Sequence, residues 1–459
     1  MDASKSTKRT ALIVASFASF MNPFMGSAIN IALPKIGSEM QAGAVTLSWL
    51  ATAYLLASAV FLVPFGRIAD IVGRKKIFQI GLASFTAATA FCLWAPTIEW
   101  LLIARIAQGA GSALIFGTAI AIITSVYPPG ERGKAMGIAI ASVYMGLTLG
   151  PFAGGWLVEM LGWRSIFGFT LVLGLISLGL SLRYLKGEWA EARGQKMDWT
   201  GSIIYGVSLT AFMYGVSSIQ NPWGVESVVL GVAGFVLFFW FESKQQSPVL
   251  NMRLFRTNRV FAFSNLAALI NYSATFAIAF LLSLYLQYIK SFSAAEAGTI
   301  LAIQPVLMAV FSPFTGRLSD KIAPQILASA GMALIALGLF AMIFISKDTS
   351  MTFIVVNLII FGIGYALFSS PNTNAIMSSV ERKHFGIASG MVGTMRLVGQ
   401  ISSIALATMI FNVFLGNQEI QPENYPQFIS SVKTDFLIFA ILCLVGVFFS
   451  LARGKQQKI

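Results

Sequence analysis

Charge is what this chain lacks most. Of its 459 residues only 11% are Asp, Glu, Lys or Arg, less than half of the roughly 25% usual in a soluble globular domain. Acids are the scarcer sign, 18 against 31 Lys and Arg, for a net charge of +13. There are two cysteines, Cys92 and Cys443. Both fall inside apolar runs, so they are read as small buried hydrophobes rather than as a disulfide or metal pair. The single histidine, His384, has no ligand partners near it in sequence, and no metal site is expected. A P-loop, a nucleophile triad and a catalytic cluster are also missing. No enzyme activity and no cofactor are expected. A sensor would need a soluble domain, and the polar stretches are too short to fold as one.

What is present is apolar sequence: 56% hydrophobic residues and a mean hydropathy of +0.77. A span needs about 20 predominantly apolar residues. Fourteen runs qualify, near 11–34, 46–66, 77–97, 98–126, 135–159, 164–185, 199–219, 225–242, 259–288, 297–315, 324–345, 352–377, 385–414 and 434–452. The first is too long for a cleavable signal segment and is read as a span. The expectation is an all-α polytopic membrane protein with 14 transmembrane helices.

The distribution of basic residues sets the topology. With the N-terminus inside, the inner segments hold 24 Lys and Arg. The outer loops hold five, Lys35, Arg164, Lys290, Lys347 and Lys433, and two, Arg105 and Arg396, lie within runs. This is the positive-inside bias. It assigns the basic charge to a membrane face with anionic headgroups rather than to nucleic acid, and places both termini in the cytoplasm.

An internal repeat divides the chain. Gly66, Arg67 and Asp70 recur 250 positions later as Gly316, Arg317 and Asp320, and Glu131-Arg132 recurs at the same offset as Glu381-Arg382. Two landmarks with one spacing indicate a duplicated six-helix unit. The expected division is a six-helix bundle over 1–185, a linker with two extra helices over 186–258, and a second six-helix bundle over 259–459. Two parallel halves with a substrate path between them are a transporter architecture.

The motifs carry a resemblance. GRIADIVGRKK (Gly66–Lys76), LLIARIAQGAGSAL (Leu101–Leu114) and GLTLGPFAGG (Gly146–Gly155) resemble motifs A, B and C of the major facilitator superfamily, and INIALP (Ile29–Pro34) fits its fourteen-helix drug:proton antiporter branch. The resemblance implies two parallel six-helix halves plus two inserted helices, alternating access, and secondary active export of small amphipathic or drug-like molecules. It implies a gating latch from Gly66, Asp70, Gly73, Arg74 and Lys75, with a degraded echo at Asp320, where Ala323 and Pro324 replace Gly and Arg. It also implies a bend and seal from Gly146, Gly150, Pro151, Gly154 and Gly155. Gly146, Gly150 and Gly154 recur every four residues on one helix face, so plain close packing accounts for them as well.

One position departs from that branch. Its usual acid in the first helix is Met25 here, and no Asp or Glu lies near the centre of any run. Proton coupling is implied by the resemblance but has no mid-membrane carboxylate to carry it. Arg105 and Arg396, each followed on its own face by a glutamine, Gln108 and Gln400, remain as intramembrane charges costing at least about 2.5 kcal/mol each. Asn22, Asn271, Tyr272 and Gln304 supply neutral polar groups at comparable depth, and interhelical hydrogen bonding explains any one of them equally well. These eight residues form the candidate substrate site. An organic-anion exporter or exchanger using the arginines is the alternative, and a non-transport polytopic sensor is more remote. A monomer is expected, in the plasma membrane.

Overall fold

The computed structural model describes residues 5–454 except 128, 191–192, 195, 220–221, 246–251, 320, 381–384 and 417. Asp320, Glu381, Arg382 and His384, singled out in the sequence, lie outside the described residues. The apolar runs are helical, and no strand occurs among the described residues. In order they are α1 (Lys5–Met40), α2 (Ala44–Val72), α3 (Arg74–Leu93), α4 (Ile98–Val126), α5 (Pro129–Leu161), α6 (Arg164–Tyr184), α7 (Trp199–Ser217), α8 (Pro222–Glu242), α9 (Met252–Thr257), α10 (Arg259–Thr275), α11 (Ala277–Leu284), α12 (Ala294–Leu301), α13 (Ile303–Leu318), α14 (Pro324–Met342), α15 (Met351–Ser378), α16 (Phe385–Phe414) and α17 (Tyr425–Ala452).

Among the described residues, 12 helices are long and apolar enough to cross a membrane. The chain is a multi-pass membrane protein, and α5 and α7, two of the fourteen expected spans, fall outside that twelve. The ninth and tenth runs are each broken rather than continuous. The ninth becomes α10, α11 and a π turn over Tyr285–Ile289. Ala277 N–H, at the junction of α10 and α11, donates to Ser403 Oγ at 3.0 Å. A hydroxyl from a neighbouring helix thus takes a backbone donor that the break releases. The tenth divides into α12 and α13 at Ala302.

Helices α1 to α6 pack on one another, chiefly α1 on α5, α3 on α4 and α2 on α4. A second group forms from α10 to α17, chiefly α14 on α15 and α17, α13 on α15, and α10 on α16 and α17. α7 packs on α8 and touches both groups, through α2 and α16.

The two groups meet at α1–α11, α5–α12 and α2–α16. The hydrogen bonds between them lie at the end opposite the Gly66–Lys76 loop, which marks the basic end. Five hydrogen bonds join the groups there. Ser283 Oγ donates to Asn30 O at 2.8 Å and Gln287 Nε2 to Ile31 O at 3.2 Å. Ala295 N donates to Glu159 Oε2 at 3.0 Å, Thr408 Oγ1 to Ser48 Oγ at 2.7 Å and Ala44 N to Gln418 O at 3.4 Å. The first has a local cause in the sequence. Pro34 has no N–H, so the Asn30 carbonyl has no intrahelical donor four residues on and is open to the other group.

Candidate functional site

The Gly66–Lys76 loop is a single residue long. Gly73 is at once the last residue outside α2 and the first outside α3, at φ +131°, a conformation that side-chain-bearing residues rarely adopt. Its missing Cβ is filled by the linker: a Cβ there would fall 2.5 Å from Glu188 Cδ. Glu188 accepts from Lys75 N at 2.9 Å and Lys76 N at 3.2 Å, and Arg74 N donates to Trp189 O at 2.8 Å. The carboxylate therefore caps the orphan N–H groups that open α3. Asp70 pairs with Arg74 at 2.9 Å, and Arg74 Nη1 donates to Ser125 Oγ at 2.8 Å. The loop is tied to its own group of helices and to the linker. Gly66 has open space beside it. Glu188 carries no sequence motif and was not anticipated.

The glycine face of α5 packs against α1. Cβ atoms at Gly146 and Gly154 would fall 2.5 Å from Phe20 O and 2.8 Å from Ala28 Cβ, and Gly150 faces Ser27 Oγ. Gly155, one position off that face, abuts Ala294 and Ala295 of α12, and Pro151 O abuts Gly298. Close backbone approach needs glycine on both sides of this seam. The motif thus serves two contacts, one within its own group and one across to the other.

The two arginines expected at the site lie in different surroundings. Arg105 is fully buried between α2, α3 and α4. Its Nε donates to Leu50 O at 3.1 Å and its Nη1 to Gln108 Oε1 at 2.5 Å, while its guanidinium lies 4.2 Å over the Tyr54 ring. Gln108 Nε2 donates in turn to Thr89 Oγ1 at 2.8 Å. The Tyr54 hydroxyl bonds Asn22 Oδ1 and lies 3.0 Å from Ser112 Oγ. Arg105 and Gln108 therefore form an internal polar chain rather than a surface open to a solute. Asn22 is its partly exposed end, with open space one turn on at Gly26.

Arg396 is only partly buried. Its guanidinium lies 5.0 Å over the ring of Phe116 from α4, and among the described residues it has no hydrogen bond or ion pair. Tyr272 of α10 packs against α16 one turn further on, where a Cβ at Gly399 would sit 2.7 Å from Tyr272 Cβ. The Tyr272 ring stacks obliquely on Tyr365 at 6.5 Å. Gln400 and Gln304 are also partly buried. Asn271 is not beside Tyr272 in role: it is fully buried, with neither amide atom hydrogen-bonded. Phe116, which completes this cluster, looks like an ordinary residue of an apolar run and carries no sequence signal.

Two buried charges correct the sequence reading. The expectation that no acid lies deep in a run fails at Asp435. The apolar run starts near 434, but α17 starts at Tyr425, so Asp435 is about 15 Å along the helix. It is fully buried, and both carboxyl oxygens lack a partner among the described residues. Arg453, counted as an inner-surface charge, is buried at the end of α17 and bonds Ser450 O, Ser450 Oγ, Ser264 Oγ and Asn372 Oδ1 at 2.5 to 3.0 Å. Burial pushes its guanidinium down to about 10, so it stays charged at neutral pH.

Comparison with known proteins follows the same architecture. The sequence profile described as "Major Facilitator Superfamily" matches residues 15–404 and 265–458. The riboflavin transporter RibZ of Clostridioides difficile (strain 630) is 28% identical over 448 residues, covering 96% of each chain. The multidrug resistance protein Stp of Mycobacterium tuberculosis is 31% identical over 418 residues, 89% of this chain and 77% of Stp. Among solved structures, a bacterial homolog of the human lysosomal transporter Spinster, inward-facing and unoccupied, superposes with a TM-score of 0.68 at 18% identity, covering 98% of each chain.

Proposed function

The chain belongs to the Major Facilitator Superfamily, whose members here are transporters rather than enzymes, and on that premise we propose that it exports small amphipathic molecules by alternating access, as an antiporter. The observation that carries this reading is the asymmetry of the seam. Hydrogen bonds and glycine contacts close it at the end opposite the basic loop. The partly exposed residues Asn22, Tyr272, Arg396, Gln400 and Gln304 in this reading face a cavity between the groups that opens at the basic end. In this reading the basic end is cytoplasmic and meets anionic headgroups, the halves are 1–185 and 259–459, α5 and α7 complete fourteen spans, and the protein works as a monomer. Relatives named for multidrug resistance and for riboflavin transport support a small, amphipathic cargo. Gly66, Asp70, Gly73, Arg74 and Lys75, together with Asp320, act as the inner latch when the molecule opens the other way.

The test is uptake by inverted membrane vesicles holding the overexpressed protein, with an imposed proton gradient and a panel of amphipathic dyes. Accumulation that collapses with the gradient is expected. Dye uptake no faster than in vesicles without the protein overturns the reading.

A further inference from the structure

Arg105, Arg396 and Arg453 are each drawn into the helix packing, and one of them is held differently. Arg105 is sealed within α2, α3 and α4, where Leu50 and Gln108 take two of its nitrogens and Tyr54 its face, while Nη2 has no partner among the described residues. Arg453 is buried with four neutral oxygens around it. Arg396 alone of the three is partly exposed, and among the described residues its guanidinium has no hydrogen-bond or carboxylate partner. A guanidinium has five N–H donors in a planar fork. Partly exposed and engaged by no protein acceptor among the described residues, they are open to an arriving anion.

The surroundings indicate what that is. Phe116 stands under the guanidinium, held one turn away by Gly393, at which a Cβ would sit 3.4 Å from the Phe116 ring. Tyr272 approaches from a further helix, packed against Gly399, three residues on from Arg396. The cation is bordered by an aromatic ring and, among the described residues, pairs with no acid, and its wall is drawn from both groups: Phe116 from α4, Arg396 and Tyr272 from α16 and α10.

We propose that Arg396 is the anion anchor of the transport site, which takes aromatic organic anions, molecules with a carboxylate or comparable acid beside a planar ring. The acid receives paired N–H donors from the fork, while the ring slots against Phe116 and Tyr272. Because the wall spans both groups of helices, an occupant touches both and senses their relative position. This assignment rests on the export reading above. It narrows that reading from amphipathic molecules in general to anionic ones, and it drops Arg105 from the contact set.

The experiment uses the full chain in lipid nanodiscs and two calorimetric probes that share a ring and differ in charge, 1-naphthoate and the neutral 1-naphthamide, with empty nanodiscs as blank. Naphthoate is expected to bind at least about tenfold more tightly than naphthamide. R396Q is expected to erase that preference, R396K to retain part of it, and F116L to weaken both probes together. R396K guards against an R396Q chain that does not fold. Equal binding of the two probes, no naphthoate binding, or a preference that survives in R396Q overturns the proposal. The two readings fail separately. Dyes that move in vesicles without any naphthoate preference leave export standing and remove the anion site. A naphthoate preference carried by Arg396 with no dye uptake does the reverse.

Discussion

At the residue scale, burial separates groups that the sequence ranked together. Arg105 and Arg396 were alike on paper, each in an apolar run with a glutamine on the same face. The difference between them is whether a neighbouring helix happens to offer acceptors, and that depends on tertiary packing at Leu50 and Tyr54 that no local pattern records. If Arg105 is a brace, the Arg105–Gln108 pair should behave as a unit. R105L alone leaves Gln108 Oε1 without its donor, and Q108L alone leaves a buried guanidinium short of an acceptor. Each should cost about 1–3 kcal/mol, and the double replacement less than the sum. Thermal unfolding of the four proteins in detergent measures this, and additive losses would refute the pairing.

Asp435 was missed for a similar reason. The polar residues between Tyr425 and Thr434 hid the start of α17, which placed an interior carboxyl at a supposed helix end. A buried acid without a partner is a functional residue by default in a membrane. Asp435→Asn is expected to abolish gradient-driven uptake while leaving substrate counterflow intact. Retained gradient-driven uptake would show that the coupling proton binds elsewhere.

At the element scale, the GLTLGPFAGG segment reads differently on its two faces. The four-residue glycine spacing was legible and does build a close helix contact, but with α1. The contact across the seam comes from Pro151, Gly155 and Gly298, and Gly298 belongs to no motif. A Cβ at Gly298 would fall 2.9 Å from Pro151 C and 3.3 Å from Gly155 Cα, so a larger side chain must part α5 from α12. Gly298→Leu should raise labelling of a cysteine placed at Ser293 by a membrane-impermeant maleimide added from outside the cell. Glu159→Ala should do so more mildly. It removes one cap from α12, worth about 1 kcal/mol or roughly fivefold in the open population. Labelling unchanged in both variants would mean that this seam does not gate access.

At the scale of the whole molecule, most of the architecture was legible. Hydropathy located the helices, of which, among the described residues, twelve of the fourteen expected are long and apolar enough to span. What was not legible was continuity. The ninth and tenth runs are unbroken in hydropathy and broken in structure, because Ser403 can take the donor freed at Ala277 from a helix more than a hundred residues away. The positive-inside bias makes a firm forecast for the assembled chain, since an even number of spans leaves both termini on one side. Fluorescent-protein fusions at either end should fluoresce in the cytoplasm, and alkaline phosphatase fusions at the same points should be inactive. An active phosphatase at one terminus would contradict the topology.

The proline at the end of INIALP has a bearing on the solvent. With Ser283 against it, the Asn30 carbonyl is satisfied by the other half of the molecule. When the seam parts, Pro34 ensures that no helical donor can replace Ser283, and only a water can. The open form therefore takes up water that the closed form does not hold, which makes the activity of water itself a reactant in the cycle. Sucrose, which is excluded from protein surfaces, should bias the population toward the closed seam at constant ionic strength. The maleimide labelling at position 293 should fall accordingly as osmolality rises, and labelling independent of sucrose would show that the carbonyl opens dry.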